Sequence, residues 1–276
     1  LLQLIRGALD LSERRTASPA SLASYLGVAQ WFDLLQRLKL SNFERVYNFA
    51  AAYKDWDKRE VPPQVVQEIL LDAVLHPFDG VDMRKKHLPF VGATDASMTF
   101  GHGASVAPLD SAQVRALARL CVKDGDHVVL GGPGGDTGAS LRLGQPHHIG
   151  LTLADFEVIL SVKVENPEHI NLEEAKALLR YVRWVLRSKD RFGHRLVVLV
   201  DSRVVIGAVA KGRSPSVPLN RLVKRIAALV FAGGLTLHLV FIPTSDNPGD
   251  PPSRGGPATW PSELRKTSCR GVVGGL

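Results

Sequence analysis

The sequence predicts an α/β domain built on a mixed five-stranded sheet flanked by helices, preceded by a small helical region. Three observations predict it. Apolar residues recur at helical spacing through the first 86 residues, β-like and helical patterns interleave after about residue 88, and Leu196 to Val200 is a continuous apolar run of the kind found in a strand buried on both faces. At 276 residues, 45% hydrophobic and 22% charged, the chain has room for one large or two modest domains. It lacks the low hydrophobicity of a disordered chain and the strict repeat of a collagen or coiled coil.

Each element follows from local pattern. Ser18-Pro19 starts a helix carrying Leu22, Leu26 and Ala29, and Pro62-Pro63 precedes Val65, Ile69, Leu70 and Val74 at helical spacing. Phe90 to Ala96 reads as a strand, and Gly101 and Gly103 follow a short polar stretch as in a hairpin. Ser111 to Cys121 reads as a helix, Gly131 to Gly135 as a loop, and Phe156 to Val164 as a strand. A helix over Asn171 to about Ser188, the buried strand, a basic helix around Leu219 to Phe231 and a last strand over Leu235 to Ile242 complete the order. The expected divisions are 1–86 (helical), 87–254 (the sheet domain, with 107–150 as an insertion) and 255–276 (a Pro/Gly-rich tail).

Charge and cysteine content narrow the functional classes. Lys+Arg number 34 against 27 Asp+Glu, a net charge of +7. Between Lys176 and Arg225 there are 13 basic and two acidic residues, so that stretch carries +11 and the remainder −4. Such a concentration suits a polyanionic partner, because clustered cations release counterions from phosphates, and it also suits a solvated surface. Two cysteines, Cys121 and Cys269, make neither a disulfide framework nor a four-ligand zinc site, which fits a reducing compartment. The longest apolar candidate, Ala227 to Ile242, is broken by Gly233-Gly234, Thr236 and His238, so no membrane span is expected. The start at Leu1, without a signal-like region, reads as a piece of a longer chain.

Four acids stand at the ends of apolar elements. Asp95 follows Val91 and Ala93 on one face of its strand, Asp201 ends the Val200 run, Glu174 opens the long helix and Asp250 lies past the last strand. A carboxylate beside a buried strand costs several kcal/mol unless it is paired or bound to a metal. At about 100° per residue, Leu172, Ala175, Leu179, Val182 and Leu186 form an apolar stripe opposite Lys176, Arg180, Arg183 and Arg187. Glu174 falls at the edge of that stripe beside Leu178 and Val185. Glu173 falls on the cationic side, so Glu174 alone is expected to face the sheet, and the four cations are read as a solvated face. Converging carboxylates without a Cys/His cluster suit Mg²⁺ or Mn²⁺, and two such ions about 4 Å apart support phosphodiester hydrolysis.

The segments Thr94-Asp95-Ala96-Ser97, His169 to Ala177, Val198 to Ser202 and Ile242 to Arg254 occur in this order. Together they resemble the ribonuclease H domain of retroelement reverse transcriptases, of the DIRS-like and tyrosine-recombinase type. The resemblance covers about Leu88 to Arg254. It implies a ribonuclease H-like sheet, Asp95, Glu174, Asp201 and Asp250 as catalytic and metal-binding acids, and two Mg²⁺ or Mn²⁺ ions. The implied reaction is endonucleolytic hydrolysis of the RNA strand of an RNA/DNA hybrid, leaving a 3′-hydroxyl and a 5′-phosphate. Lys211, Arg213, Lys224 and Arg225, on the loop and helix after the Asp201 strand, are the candidate nucleic-acid-binding residues. The implied partner is a polymerase domain of the same polyprotein, and the setting is intracellular, in cytoplasm or nucleus. Ser18 to Gly27 is similar to a helix of the thumb or connection region that precedes such domains. A catalytically inactive nucleic-acid-binding remnant of such an element is the alternative, and a DNA nuclease or integrase on the same fold is a third.

The sequence departs from the family in two places. Thr244 to Gly249 holds no histidine, where many relatives carry one before the last Asp, and 107–150 replaces a short turn. Tyr53-Lys54-Asp55-Trp56-Asp57 is not a polymerase motif, since Trp56 separates the acids in a helical context. Gly131 to Gly138 lacks the Lys-Ser/Thr ending of a phosphate loop. His147-His148 are read as loop residues, His102 as a surface residue, and Trp31, Trp56 and Trp184 as packing residues.

Overall fold

A computed structural model describes residues 1–53, 56–122, 126–131 and 144–256. Contacts group the chain into two compact units: 1–83 with 208–227, and 84–207 with 228–276. Segment 208–227, expected within the sheet domain, is thus grouped with the N-terminal residues. Most of the expected Gly131 to Gly135 loop and of the 255–276 tail lies outside the described residues.

The first unit is helical. It holds α1 (Leu2–Arg14), α2 (Pro19–Asp33), a 3-10 segment over Leu34–Phe43, α3 (Glu44–Ala52) and α4 (Pro63–Leu75). Two short strands, β1 (Thr16–Ala17) and β2 (Arg59–Glu60), pair antiparallel. Ser18 caps α2 through the Ser21 amide, and Ser21 bonds back to the Ser18 amide, so the Ser-Pro start is satisfied at both donors. Leu4, Leu22, Leu26, Phe43, Val46, Val65 and Ile69 are buried together. Asn220, from the 208–227 segment, donates to Ser41 O at 3.0 Å and to Glu44 at 3.1 Å. Trp31 and Trp56 are exposed rather than packed, at 73% and 84%.

The second unit is built on β3 (Phe90–Ala96), β4 (Gly101–Pro108), β7 (Glu157–Lys163), β8 (Arg195–Val200) and β9 (Thr236–Phe241) in the order β7-β4-β3-β8-β9. The pairs β3–β4 and β4–β7 are antiparallel, whereas β3–β8 and β8–β9 are parallel, so the sheet is mixed. Between β4 and β7 lie α5 (Ser111–Ala118), β5 (His127–Leu130) and β6 (Pro146–Ile149), with β5 and β6 a parallel pair of their own. His147 and His148 therefore sit on a strand and not in a loop, and His147 bonds Asp126 at 2.8 Å. Val91, Ala93, Val197, Leu199, Val240 and Ile242 pack with Val114 and Leu117 of α5 on one face.

On the opposite face lies α6 (Ile170–Val185). Its fully buried residues include Ala177, Leu178, Tyr181 and Val185, so the inward stripe runs through Glu174 rather than through Leu172 and Leu186. The reason is Gly92 of β3, where an added Cβ would stand 2.0 Å from the Tyr181 hydroxyl oxygen. That glycine makes room for the tyrosine, and Trp184 stacks on it under the Arg191 guanidinium at 4.2 Å. The helices α7 (Arg203–Lys211) and α8 (Val217–Ala232) and a short turn, α9 (Asp250–Ser253), complete the described elements. A helix at Arg203–Lys211 was not expected, because Val204, Val205, Ile206, Gly207 and Val209 have low helix propensity. Ser202 supplies a start, its Oγ accepting from the Val205 amide at 3.4 Å.

Candidate functional site

The site forms where β3, β8 and α6 end together. Register pairs Thr94 with Val200 across the parallel strands, so the next residue on each, Asp95 and Asp201, emerges side by side. Glu174 is the fifth residue of α6, just past its first turn, and its Oε1 accepts from the Ala96 amide at 3.3 Å. One carboxylate oxygen each from Asp95, Glu174 and Asp201 lies within 4.8 Å of the others. The structure thus brings together three of the four expected acids.

The fourth, Asp250, stands outside that trio but acts on it. The segment after β9 is tied across the sheet: Asn247 donates to Thr94 O at 3.1 Å, Ser105 to Pro248 O at 2.8 Å and Ser161 to Pro252 O at 2.8 Å. Gly103 of β4 admits this crossing, since a Cβ there would stand 2.3 Å from both Gly249 O and Ser253 N. Ser253 Oγ donates to Asp95 Oδ2, and the Asp250 charge reaches Asp95. Asp250 itself is held by Arg254, whose Nε lies 2.8 and 2.9 Å from its two oxygens.

Crowding shifts the acids' protonation. Burial, helped by the charges of Asp201 and Asp250, pushes Asp95 up to about 7 against the hydrogen bond from Ser253, and burial with Asp95 and Asp201 pushes Glu174 up to about 9. Asp95 is 3% exposed and Glu174 7%. Glu174 Oε2 and Asp201 Oδ1 are buried with no hydrogen-bond partner among the described residues. Oxygen-only donors, like charges at close range and unpartnered oxygens fit a hard cation, so this group can hold a metal ion.

Two residues beside the trio differ from expectation. Glu173 is buried at 1% rather than on the solvated side, and His102 is buried at 1% rather than on the surface. They meet each other, His102 Nε2 lying 2.7 Å from Glu173 Oε2. Glu173 Oε1 accepts from Lys176 Nζ and from the Glu168 amide, both at 2.8 Å. Burial alone would raise the Glu173 carboxyl, but these three bonds hold it below the usual range. A carboxylate that accepts three hydrogen bonds can be buried on the side that helix geometry assigns to water.

A second group, Asp33, His76 and Asp79 in the helical unit, can also hold a metal ion by ligand type and spacing. There, however, Lys39 Nζ already stands 2.8 Å from Asp33, 3.3 Å from Asp72 and 2.6 Å from Asp79. Sequence patterns did not mark this group, whose members come from the end of α2 and the turn after α4, with Lys39 and Asp72 beside them.

Of the candidate phosphate contacts, Lys211, Arg213 and Arg225 are exposed and Lys224 is half-buried. Arg213 lies over the Tyr47 ring at 4.4 Å, and the Lys224 charge acts on Glu68. No helix among the described residues is long and apolar enough to cross a membrane. In comparison with known proteins, the chain matches no family model and no curated relative.

Proposed function

We propose that this chain is the metal-dependent ribonuclease H module of a retroelement reverse transcriptase and hydrolyses the RNA strand of RNA/DNA hybrids. The observation that carries the reading is the meeting of Asp95, Glu174 and Asp201 at one end of a mixed sheet, each from a segment of the resemblance. The five-stranded mixed sheet with flanking helices is compatible with a ribonuclease H-like fold. Asp95, Glu174 and Asp201 would hold Mg²⁺ or Mn²⁺, with Asp250 as the fourth acid. When bound, a pair of such ions supplies the charge that activates a water and stabilises the leaving oxygen.

The chain's own residues prepare that chemistry. Ser253 fixes one oxygen of Asp95, Ala96 fixes one oxygen of Glu174, and the free oxygens are left for a cation. Arg254 holds Asp250 at the rim of the site. Lys211, Arg213, Lys224 and Arg225 are proposed to track backbone phosphates, and selection would rest on duplex shape and 2′-hydroxyl contacts rather than base sequence. The proposed partner is a polymerase domain of the same polyprotein, in cytoplasm or nucleus.

The test is cleavage of an RNA/DNA hybrid labelled in the RNA strand, with Mg²⁺, by wild type and Asp201→Asn. The reading expects cleavage by wild type and a loss of about 100- to 1,000-fold in the variant, the scale of removing one preorganised electrostatic group. Binding of the hybrid without cleavage would replace it with the inactive-remnant reading. Cleavage of duplex DNA in preference to the hybrid would replace it with a DNA nuclease.

A further inference from the structure

We infer that His102 and Glu173 are positioning residues that set the place of Glu174 in the metal site, an inference that rests on the metal-site reading above. The N-terminal part of α6 must hold Glu174 against like charges from Asp95 and Asp201. The bond from Ala96 to Glu174 is long, at 3.3 Å, and ties the helix only to β3. The second tie is to β4. His102 pairs with Ala96 in the β3–β4 register, one step from the Gly103–Asp95 pair, and reaches Glu173 from there.

Glu174 is thus flanked by ties to two adjacent strands, one through its own carboxylate and one through its neighbour's. The Glu173 side of the clamp is closed from below by the Glu168 amide and from above by Lys176, which also pairs with Glu168. His102 Nε2 donates to the Glu173 oxygen that these two bonds leave open, and so links α6 to β4. His102 Nδ1 is buried without a hydrogen-bond partner among the described residues, so the ring is committed to Glu173 alone. Neither residue is among the oxygens that gather at the site, and so they act through Glu174 and not on the ion.

The experiment compares wild type with His102→Leu, His102→Gln and the double variant His102→Leu/Glu173→Gln. The double variant leaves no buried charge behind and keeps the test open if the single one fails to fold. Two readouts are taken: Mn²⁺ affinity by calorimetry, and hydrogen exchange of the Ala96 amide without metal, with β8 amides as the measure of intact fold. The expected result is about 10- to 100-fold weaker Mn²⁺ binding in both Leu variants, the usual size of losing a group that orients a metal ligand. Ala96 exchange should quicken while β8 stays protected, and His102→Gln, which can still donate to Glu173, should restore both readouts. A folded Leu variant with wild-type affinity and wild-type Ala96 exchange overturns the inference. Wild type that binds no Mn²⁺ overturns the metal-site reading instead, and Ala96 exchange still tells whether the clamp places Glu174.

Discussion

Two buried acidic clusters lie among the described residues, and they are balanced in different ways. In the helical unit, Asp33, Asp72 and Asp79 surround Lys39, and His76 lies 2.9 Å from Asp72 and 2.8 Å from Asp79. In the sheet unit, Asp95, Glu174 and Asp201 gather as closely, and the cation that acts on Asp95, Arg254, is paired with Asp250. Burial presses on both: Asp33 is pushed up to about 6 by burial and by Asp72, even with Lys39 beside it. The first cluster carries its own cation in Lys39, with His76 beside it. The second has no shared cation like Lys39 among the described residues, and its three acids can hold a metal ion.

The largest effect expected from this contrast is at Lys39. Lys39→Met strips three buried carboxylates of their shared cation and should destabilise the protein by about 3–5 kcal/mol, the cost of breaking a buried ion pair from one side. Urea unfolding monitored by circular dichroism measures it. A loss below 1 kcal/mol would show that the cluster relaxes or takes up protons easily, and the distinction between the two clusters would fall.

The converse holds in the sheet unit. Asp201→Asn removes a like charge beside Asp95 and Glu174, so the metal-free variant should be more stable than wild type. One kcal/mol corresponds to about 2–4 °C in a chain of this size. Adding Mg²⁺ should raise the melting temperature of wild type and leave Asp201→Asn nearly unchanged, since an ion that binds only the folded state stabilises it by mass action. A variant less stable than wild type would mean that the carboxylates are already balanced.

The smallest effect is in pH dependence. Asp33 has a folded value raised above its ordinary 3.8, so its contribution is fully present below that value and is lost as pH rises through about 6. His76 is also raised, by Asp72 and Asp79 against its burial, and its contribution is present below 6.5 and lost as pH rises through its folded value. Asp95 and Glu174 follow the same sign, through about 7 and about 9. The contribution of these groups should therefore fall from pH 5 to pH 8 in thermal melts, against the opposite pull of His87, His102 and His238, whose burial favours the neutral ring as pH rises. Asp33→Asn should flatten part of that slope, and saturating Mg²⁺ should offset the part due to the sheet cluster alone.

The sheet was legible because β7, β8 and β9 are rich in β-branched and aliphatic residues and β3 opens on Phe90-Val91, and the apolar character of Leu196 to Val200 needed no partner to be seen. Asp95 and Asp201 were legible for the same reason, as charges at the ends of such runs. Helix α7 was not, because its valines and Gly207 argue against a helix and only the Ser202 start argues for one. The β5–β6 pair was not, because its strands are short and their pairing is tertiary.

Strand ends, helix spacing and the order of the acids pointed by themselves to Asp95, Glu174, Asp201 and Asp250 as candidates for one site, and the tertiary structure brought the first three together at the ends of β3, β8 and α6. Whether a charge is neutralised is a different kind of fact. It depends on which residues meet across long stretches of chain: Lys39 with Asp79, His102 with Glu173, Gly92 under Tyr181. Helix periodicity placed Glu173 in water, and a histidine from a neighbouring strand made its burial possible. A local pattern can tell which face a residue lies on, but the energy of a buried charge is set by its partners, and only the tertiary structure supplies those.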